Sequence, residues 1–193
     1  MENDLKYILF AGVNGAGKST LFWAIENGIN LPRVNSDEIL VKQHGDWKNE
    51  KDVITAMREA VRLQHKYLKT KISFTQETTL AGSTIINTIA KAKAIGYEVI
   101  MYYVGLENAD IAVERVRQRV INGGHGISET DIIRRYDASL NNLKSAISVC
   151  NVIYIFDNTR HFLQVASIYN AVIKVRYDTD YGVHWLSKVI GDP

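Results

Sequence analysis

Short, almost wholly apolar runs alternate along this chain with longer stretches whose apolar residues recur every three or four positions. Tyr7-Ile8-Leu9-Phe10-Ala11 is the first such run, the pattern of a strand covered on both faces of a parallel sheet. A glycine-rich turn follows, then a helix from Lys18 to about Asn27, with Gly28 placed to stop it. Val34-Asn35 closes a short second strand after Pro32. Residues 50–69 carry an amphipathic helical pattern with Val53, Met57, Ala60, Val61, Gln64 and Leu68 on one stripe. Ile72–Thr75 predicts a third strand, and Ser83 is placed to cap a helix running to Ile95 and stopped by Gly96. Tyr97–Val104 is the clearest strand of the chain.

Asn108 caps a predicted helix that ends near Ile121, before Gly123-Gly124. Ser128, with Asp131 three residues on, has the form of a capping box opening a helix to about Ala146. Val152–Phe156 gives a further strand, residues 162–176 a hairpin turning near Asn170, and the region around Trp185 a short helix. Strands and helices in this alternation predict one α/β domain over residues 1–193, with a mainly parallel central sheet flanked by helices.

Composition narrows the class. Of 193 residues 46% are hydrophobic, enough for a self-sufficient core, and a lone cysteine excludes an internal disulfide. No apolar run approaches the ~20 residues a membrane helix needs, and Met1–Lys6 has no apolar leader stretch, so a cytoplasmic protein is expected. Twenty-three basic against twenty-one acidic residues give a net charge of +2, too balanced to imply a nucleic-acid or membrane partner. The arginines are not evenly spread. Arg115, Arg117, Arg119, Arg134 and Arg135 fall within twenty-one residues, and guanidinium forks suit phosphate and carboxylate oxygens. A solvated helix face paired with Glu114, Glu129 and Asp131 accounts for the same charges.

The chemistry enters with Gly12-Val13-Asn14-Gly15-Ala16-Gly17-Lys18-Ser19, a complete G-x-x-x-x-G-K-[ST] placed between a predicted strand and a predicted helix. Glycines let the backbone curl so that successive N–H groups face phosphate oxygens, and the helix N-terminus adds its positive end. Gly12, Asn14, Gly15, Ala16, Gly17, Lys18, Ser19 and Thr20 are the expected nucleotide contacts. Lys18 reaches the β- and γ-phosphates, and the Ser19 hydroxyl binds Mg²⁺. No Asn-Lys-x-Asp element is present to read guanine, and Asp37-Glu38 follows Val34-Asn35-Ser36, which is too polar for the acidic residue after four apolar ones of motor-type ATPases. What the chain offers instead is a carboxylate after strand two, another after strand three, and the arginine-rich segment, which suit a small-molecule kinase.

Two roles fit Asp37: a base for an acceptor hydroxyl at the C-terminal edge of the sheet, or a helix N-cap in competition with Ser36. Glu77, followed by Thr78 and Thr79, closes strand three where an acceptor would bind. Arg115 and Arg119 share a helix face while Arg117 points nearly opposite. Gly123-Gly124-His125-Gly126 suits a lid hinge, with His125 either a substrate contact or incidental. Asp157-Asn158-Thr159 either meets the base of the nucleotide or forms an Asx turn.

Five elements in order resemble the zeta-toxin-like P-loop kinases: Gly12–Thr20, Val34–Ile39, Gln76–Thr79, Arg117–Ser128 with Ile133–Tyr136, and Phe156–Asn158. The resemblance spans residues 7–159. It implies a P-loop kinase fold with an arginine-rich helical lid over about residues 108–146, and transfer of phosphate from ATP or GTP, with Mg²⁺, to a small hydroxylated acceptor. In the toxin branch that acceptor is UDP-N-acetylglucosamine. By position, Lys18, Asp37, Arg119 and Arg134 would be catalytic, with Asp37 the base. Asp37, Glu77, Thr79 and Arg117 would meet the acceptor, and an antitoxin protein would be a partner. Asn35 departs from the toxins, which have aspartate there, and His125 falls near their second lid arginine.

Overall fold

The structure is a computed structural model that describes residues 5–25, 28–178 and 181–191. Its elements in chain order are β1 (Lys6–Ala11), α1 (Lys18–Ile25), β2 (Arg33–Val34), α2 (Ser36–Lys42), α3 (Glu50–Thr70), β3 (Phe74–Thr78) and α4 (Ile85–Ala94). They continue with β4 (Glu98–Gly105), α5 (Ala109–Ile121), α6 (Glu129–Val149), β5 (Val152–Asp157), β6 (Leu163–Tyr169), β7 (Val172–Arg176) and α7 (Ser187–Ile190). The strands form one sheet in the order β2-β3-β1-β4-β5-β6-β7, in which the first five run parallel and the last two antiparallel. The mainly parallel α/β architecture expected from the apolar pattern is therefore present. No helix among the described residues is long and apolar enough to cross a membrane.

The central place of β1, between β3 and β4, accounts for its apolar run. Tyr7, Leu9 and Ala11 pack with Phe74, Met101 and Ile153 on one face, and Ile8 and Phe10 with Phe22, Val104 and Val113 on the other. Gln64 of α3 ties this layer together by donating to the Tyr7 hydroxyl at 3.0 Å and to Gln76 Oε1 at 2.7 Å.

Several local expectations shift. The buried side of α3 runs through Ala56 and Gln64, while Met57 and Val61 of the expected stripe are 52% and 51% exposed. The helix packs on α2 through its first half and reaches the main core through Ala60, Leu63, Tyr67 and Leu68, and the side holding Met57 and Val61 is left uncovered. Ser83 does not cap α4: Thr84 holds the cap position and makes no capping bond. Asn108 and Ser128 do cap α5 and α6, accepting from the N–H groups of Ile111 and Asp131. Part of the helix expected to reach Asn27 lies outside the described residues, which resume at Gly28.

The tail folds back onto the C-terminal ends of β4 and β5. Trp185 is fully buried with its ring on Gly105, where a Cβ would come within 2.1 Å of the indole. Its indole N–H donates to Asp157 Oδ1 at 2.8 Å, and Asp157 also accepts from the Thr159 N–H and hydroxyl. Asp157 thus forms an Asx turn locked under the tail.

The β6–β7 hairpin turns at Asn170 and Ala171, with φ of 47° and 65°. Two left-handed residues in a two-residue loop favour Asn-Gly, and alanine carries a steric cost there. Ala171→Gly is expected to stabilise the fold by about 1 kcal/mol, or about 2–4 °C in Tm for a chain of this size. A melting curve at or below that of the wild type would contradict this.

Candidate functional site

The phosphate loop leaves β1 at Ala11 and enters α1 at Lys18. Gly12 has φ of 137°, and a Cβ there would sit 2.2 Å from the Val104 carbonyl oxygen, so the first turn of the loop admits no side chain. At Gly17, with φ of 103°, the Asn158 amide lies where a side chain would go. That amide donates to the Ala16 carbonyl at 2.8 Å. Asn158, carried on the locked Asx turn, therefore braces the loop from the β5 side. Arg115 secures the same turn by donating to the Asn158 carbonyl at 2.7 Å.

Lys18 is buried, and its ammonium donates back to the Val13 carbonyl at 3.1 Å. Burial pulls its pKa below the ordinary lysine value, with Glu77 and Asp37 acting in the opposite sense and Arg119 and Arg135 reinforcing the drop. Ser19 and Thr20 are exposed in the first turn of α1.

Glu77, at the end of β3, is the centre of the polar cluster. The Ser19 hydroxyl faces both of its oxygens at 3.1 and 3.0 Å, and Lys18 Nζ is 3.9 Å away. Arg33 donates to Oε2 at 2.7 Å and Asn35 to the same oxygen at 3.1 Å. Arg33 also pairs with Glu38 at 3.2 Å and lies 3.5 Å over the Phe22 ring. Sequence reasoning missed Arg33, because nothing local marks a strand residue whose shortest ion pair, with Glu77, spans 44 positions. The same contacts set Glu77, expected from the sequence to meet the acceptor, beside Ser19 and Lys18.

A cavity of 620 Å³ opens beside this cluster. Asn14, Lys18, Asp37, Glu77, Thr79 and Arg135 line it, together with an apolar wall of Leu40, Val53, Ala56 and Met57. Asp37 sits in the first turn of α2. The capping role falls to Asn35, whose side-chain oxygen accepts from the Asp37 N–H at 2.8 Å, so neither Ser36 nor Asp37 is the cap. The Asp37 carboxylate is 48% exposed and lines the cavity.

The lid arginines divide. Arg135 donates to the Asn14 side chain at 3.2 Å, which brings it to the phosphate loop, while Arg119 donates to the His125 carbonyl at 2.9 Å and is near enough for its charge to act on Lys18. Arg134 lines the cavity at its rim but pairs with Asp131 at 2.8 Å, its side chain 66% exposed. Arg117 pairs with Glu114 on the outer face of α5, 60% exposed, and the structure does not bring it to the cavity. The glycines of the lid loop serve close packing as well as freedom: a Cβ on Gly124 would meet Arg119 Cγ at 2.6 Å, and one on Gly126 would meet Val120 at 2.6 Å.

A model of the Zeta toxin family matches residues 4–170. An uncharacterised protein of Haemophilus influenzae is 35% identical over 136 residues, covering 70% of this chain and 94% of that protein. A chain of the PezAT chromosomal toxin–antitoxin system of Streptococcus pneumoniae superposes with a TM-score of 0.60 at 17% identity, over 83% of this chain and 71% of that one. The AvrRxo1-ORF1:ORF2 complex crystallised with ATP gives a TM-score of 0.60 at 13% identity, over 92% of this chain and 62% of that one. The likeness to these two structures is one of fold.

Proposed function

The chain belongs to the zeta toxin family, and from that premise we propose that it is a P-loop kinase moving the γ-phosphoryl group of ATP or GTP to a hydroxyl of a small acceptor. The observation that supports this most directly is one cavity lined by both the buried Lys18 and the Asp37 carboxylate, which has no capping or arginine partner among the described residues. A hydrolytic switch has no need of an acceptor-sized apolar wall next to that carboxylate.

In this reading Asp37 takes the proton of the acceptor hydroxyl as its oxygen bonds to the γ-phosphorus. The bond to the β–γ bridging oxygen breaks, and the nucleoside diphosphate leaves. Loop N–H groups and Lys18 hold the β- and γ-oxygens, and Arg119 and Arg135 meet the charge on the moving group, with Arg134 available at the rim. The Ser19 hydroxyl and a Glu77 oxygen 3.0 Å away are hard donors of the kind Mg²⁺ takes, and both would hold it. Once bound, that ion supplies charge neutralisation at the phosphates. Thr79 and the α3 wall face the acceptor. A UDP-amino sugar such as UDP-N-acetylglucosamine is the acceptor that family membership favours, and an antitoxin protein the corresponding partner.

The test is transfer from γ-labelled ATP and Mg²⁺ to a panel of nucleotide sugars, free sugars, nucleosides and oligonucleotide ends, with products separated by mass. A labelled acceptor is expected. Label released only as inorganic phosphate would overturn the kinase reading in favour of an ATPase.

A further inference from the structure

His125, in the loop between α5 and α6, touches both halves of the proposed chemistry. Its ring lies flat on Trp47, with centroids 3.7 Å apart and planes at 6°. Trp47 is itself seated on Ile39, Leu40 and Ala56 in the small core between α2 and α3, so the imidazole cannot tilt freely. Held this way, Nε2 lies 3.5 Å from Asp37 Oδ2 and 3.4 Å from an Arg119 nitrogen. The backbone doubles the second link, since Arg119 Nε donates to the His125 carbonyl at 2.9 Å. The side chain is only 16% exposed.

One nitrogen cannot serve both neighbours in the same protonation state. With the proton on Nδ1, the lone pair of Nε2 accepts from Arg119 and gives nothing to Asp37, whose carboxylate stays free to take a proton. In the imidazolium, Nε2–H donates to Asp37 and its charge opposes Arg119. We propose that His125 is a positioning residue of the transfer reaction: fixed by Trp47, its neutral ring keeps Arg119 beside Asp37 and leaves that carboxylate unoccupied. This rests on the reading of Asp37 as the base.

Burial and Arg119 lower the pKa of His125 below the ordinary histidine value, against a smaller opposing pull from Asp37. The other charged groups facing the cavity are Lys18, Lys48, Glu50, Glu77, Arg134 and Arg135. The ring is therefore neutral at neutral pH, and the competent arrangement is lost as pH falls through the lowered pKa.

Two measurements test the proposal. The first follows the His125 imidazole by NMR through a pH titration of the full chain and needs no turnover. Arg119→Gln, which removes a cation, is expected to raise the titration point, and Asp37→Asn, which removes an anion, to lower it. If neither variant moves it, the contacts and the proposal fall together. The second uses the acceptor identified by the transfer panel. His125→Phe keeps the face on Trp47 and deletes Nε2, and is expected to lower kcat about tenfold with KM for ATP within about twofold. In His125→Gln, which cannot become cationic, the acid limb of kcat is expected to move to lower pH. An unchanged kcat and acid limb, or a kcat loss matched by a fall in Tm in both variants, would overturn the positioning role. If no acceptor is found, the kinase reading fails on its own and the titration still decides whether His125 joins Asp37 to Arg119.

Discussion

Lys18→Met abolishes phosphoryl transfer while leaving the fold at least as stable as the wild type. The two halves of this expectation have one cause. The ammonium is buried, and its pKa is driven down by that burial, so the folded protein holds a charge it would be easier to expose. Removing it takes away the positive charge nearest the transferred group, where such contacts are worth about a thousandfold in rate. Methionine fills the same channel without desolvating a cation. Glu77 is not stranded, because Arg33, Asn35 and Ser19 remain within hydrogen-bonding distance. The linkage has a definite sign: a lysine whose folded pKa lies below its unfolded value disfavours the fold at pH values below both. Lys18→Met should therefore equal or exceed the wild-type Tm at neutral pH, and the difference should shrink as pH rises through the native pKa. Single-turnover transfer and thermal melts across pH measure both halves. A variant that melts well below the wild type, or retains a tenth of its transfer, would remove Lys18 from this role.

The parts of the site written into contiguous residues were legible in the sequence, and those assembled by packing were not. The phosphate loop is local: Gly12 to Ser19 specify their own backbone path, and strand and helix flank them as expected. Asp37 and Glu77 could be placed because Asp37 follows β2 and Glu77 stands at the end of β3, and strand ends in a parallel sheet share one edge. Their partners could not. Asn35 caps α2 and holds Glu77 at once, a double role that appears only when β2 pairs with β3. Helix phase explains the arginines. Val113 and Val116 turn one side of α5 inward, leaving Arg117 outside, as the i,i+2 spacing implied, yet the resemblance drew it into the site. On α6, Ile132 and Tyr136 are buried, and the rotation they impose carries Arg135 to Asn14 and leaves Arg134 at the rim. Trp47 carried no signal, because its stacking partner lies in a loop 78 residues on. His125 was visible in the sequence, but its neighbours were not.

Asp37→Asn is expected to lower transfer by about a hundredfold or more, the range of a lost general base, with nucleotide binding intact. The separation follows from where the side chain sits. The carboxylate lies 3.5 Å from the Ser36 hydroxyl and 3.5 Å from His125, and none of the residues that brace the phosphate loop leans on it. Asparagine keeps the size and leaves the Asn35 cap of α2 in place, so the helix start is not disturbed. What it cannot do is accept a proton from an attacking hydroxyl. Binding of a fluorescent ATP analogue should thus match the wild type while kcat for the acceptor collapses. Water is a poorer test of the same group, since slow hydrolysis at an open γ-phosphate depends mainly on Lys18 and the lid arginines. If Asp37→Asn lost affinity for nucleotide in step with transfer, the carboxylate would belong to the phosphate site. If transfer survived, the proton would have to leave by another route, and Glu77, held by Arg33, Asn35 and Ser19, is too heavily engaged to offer it.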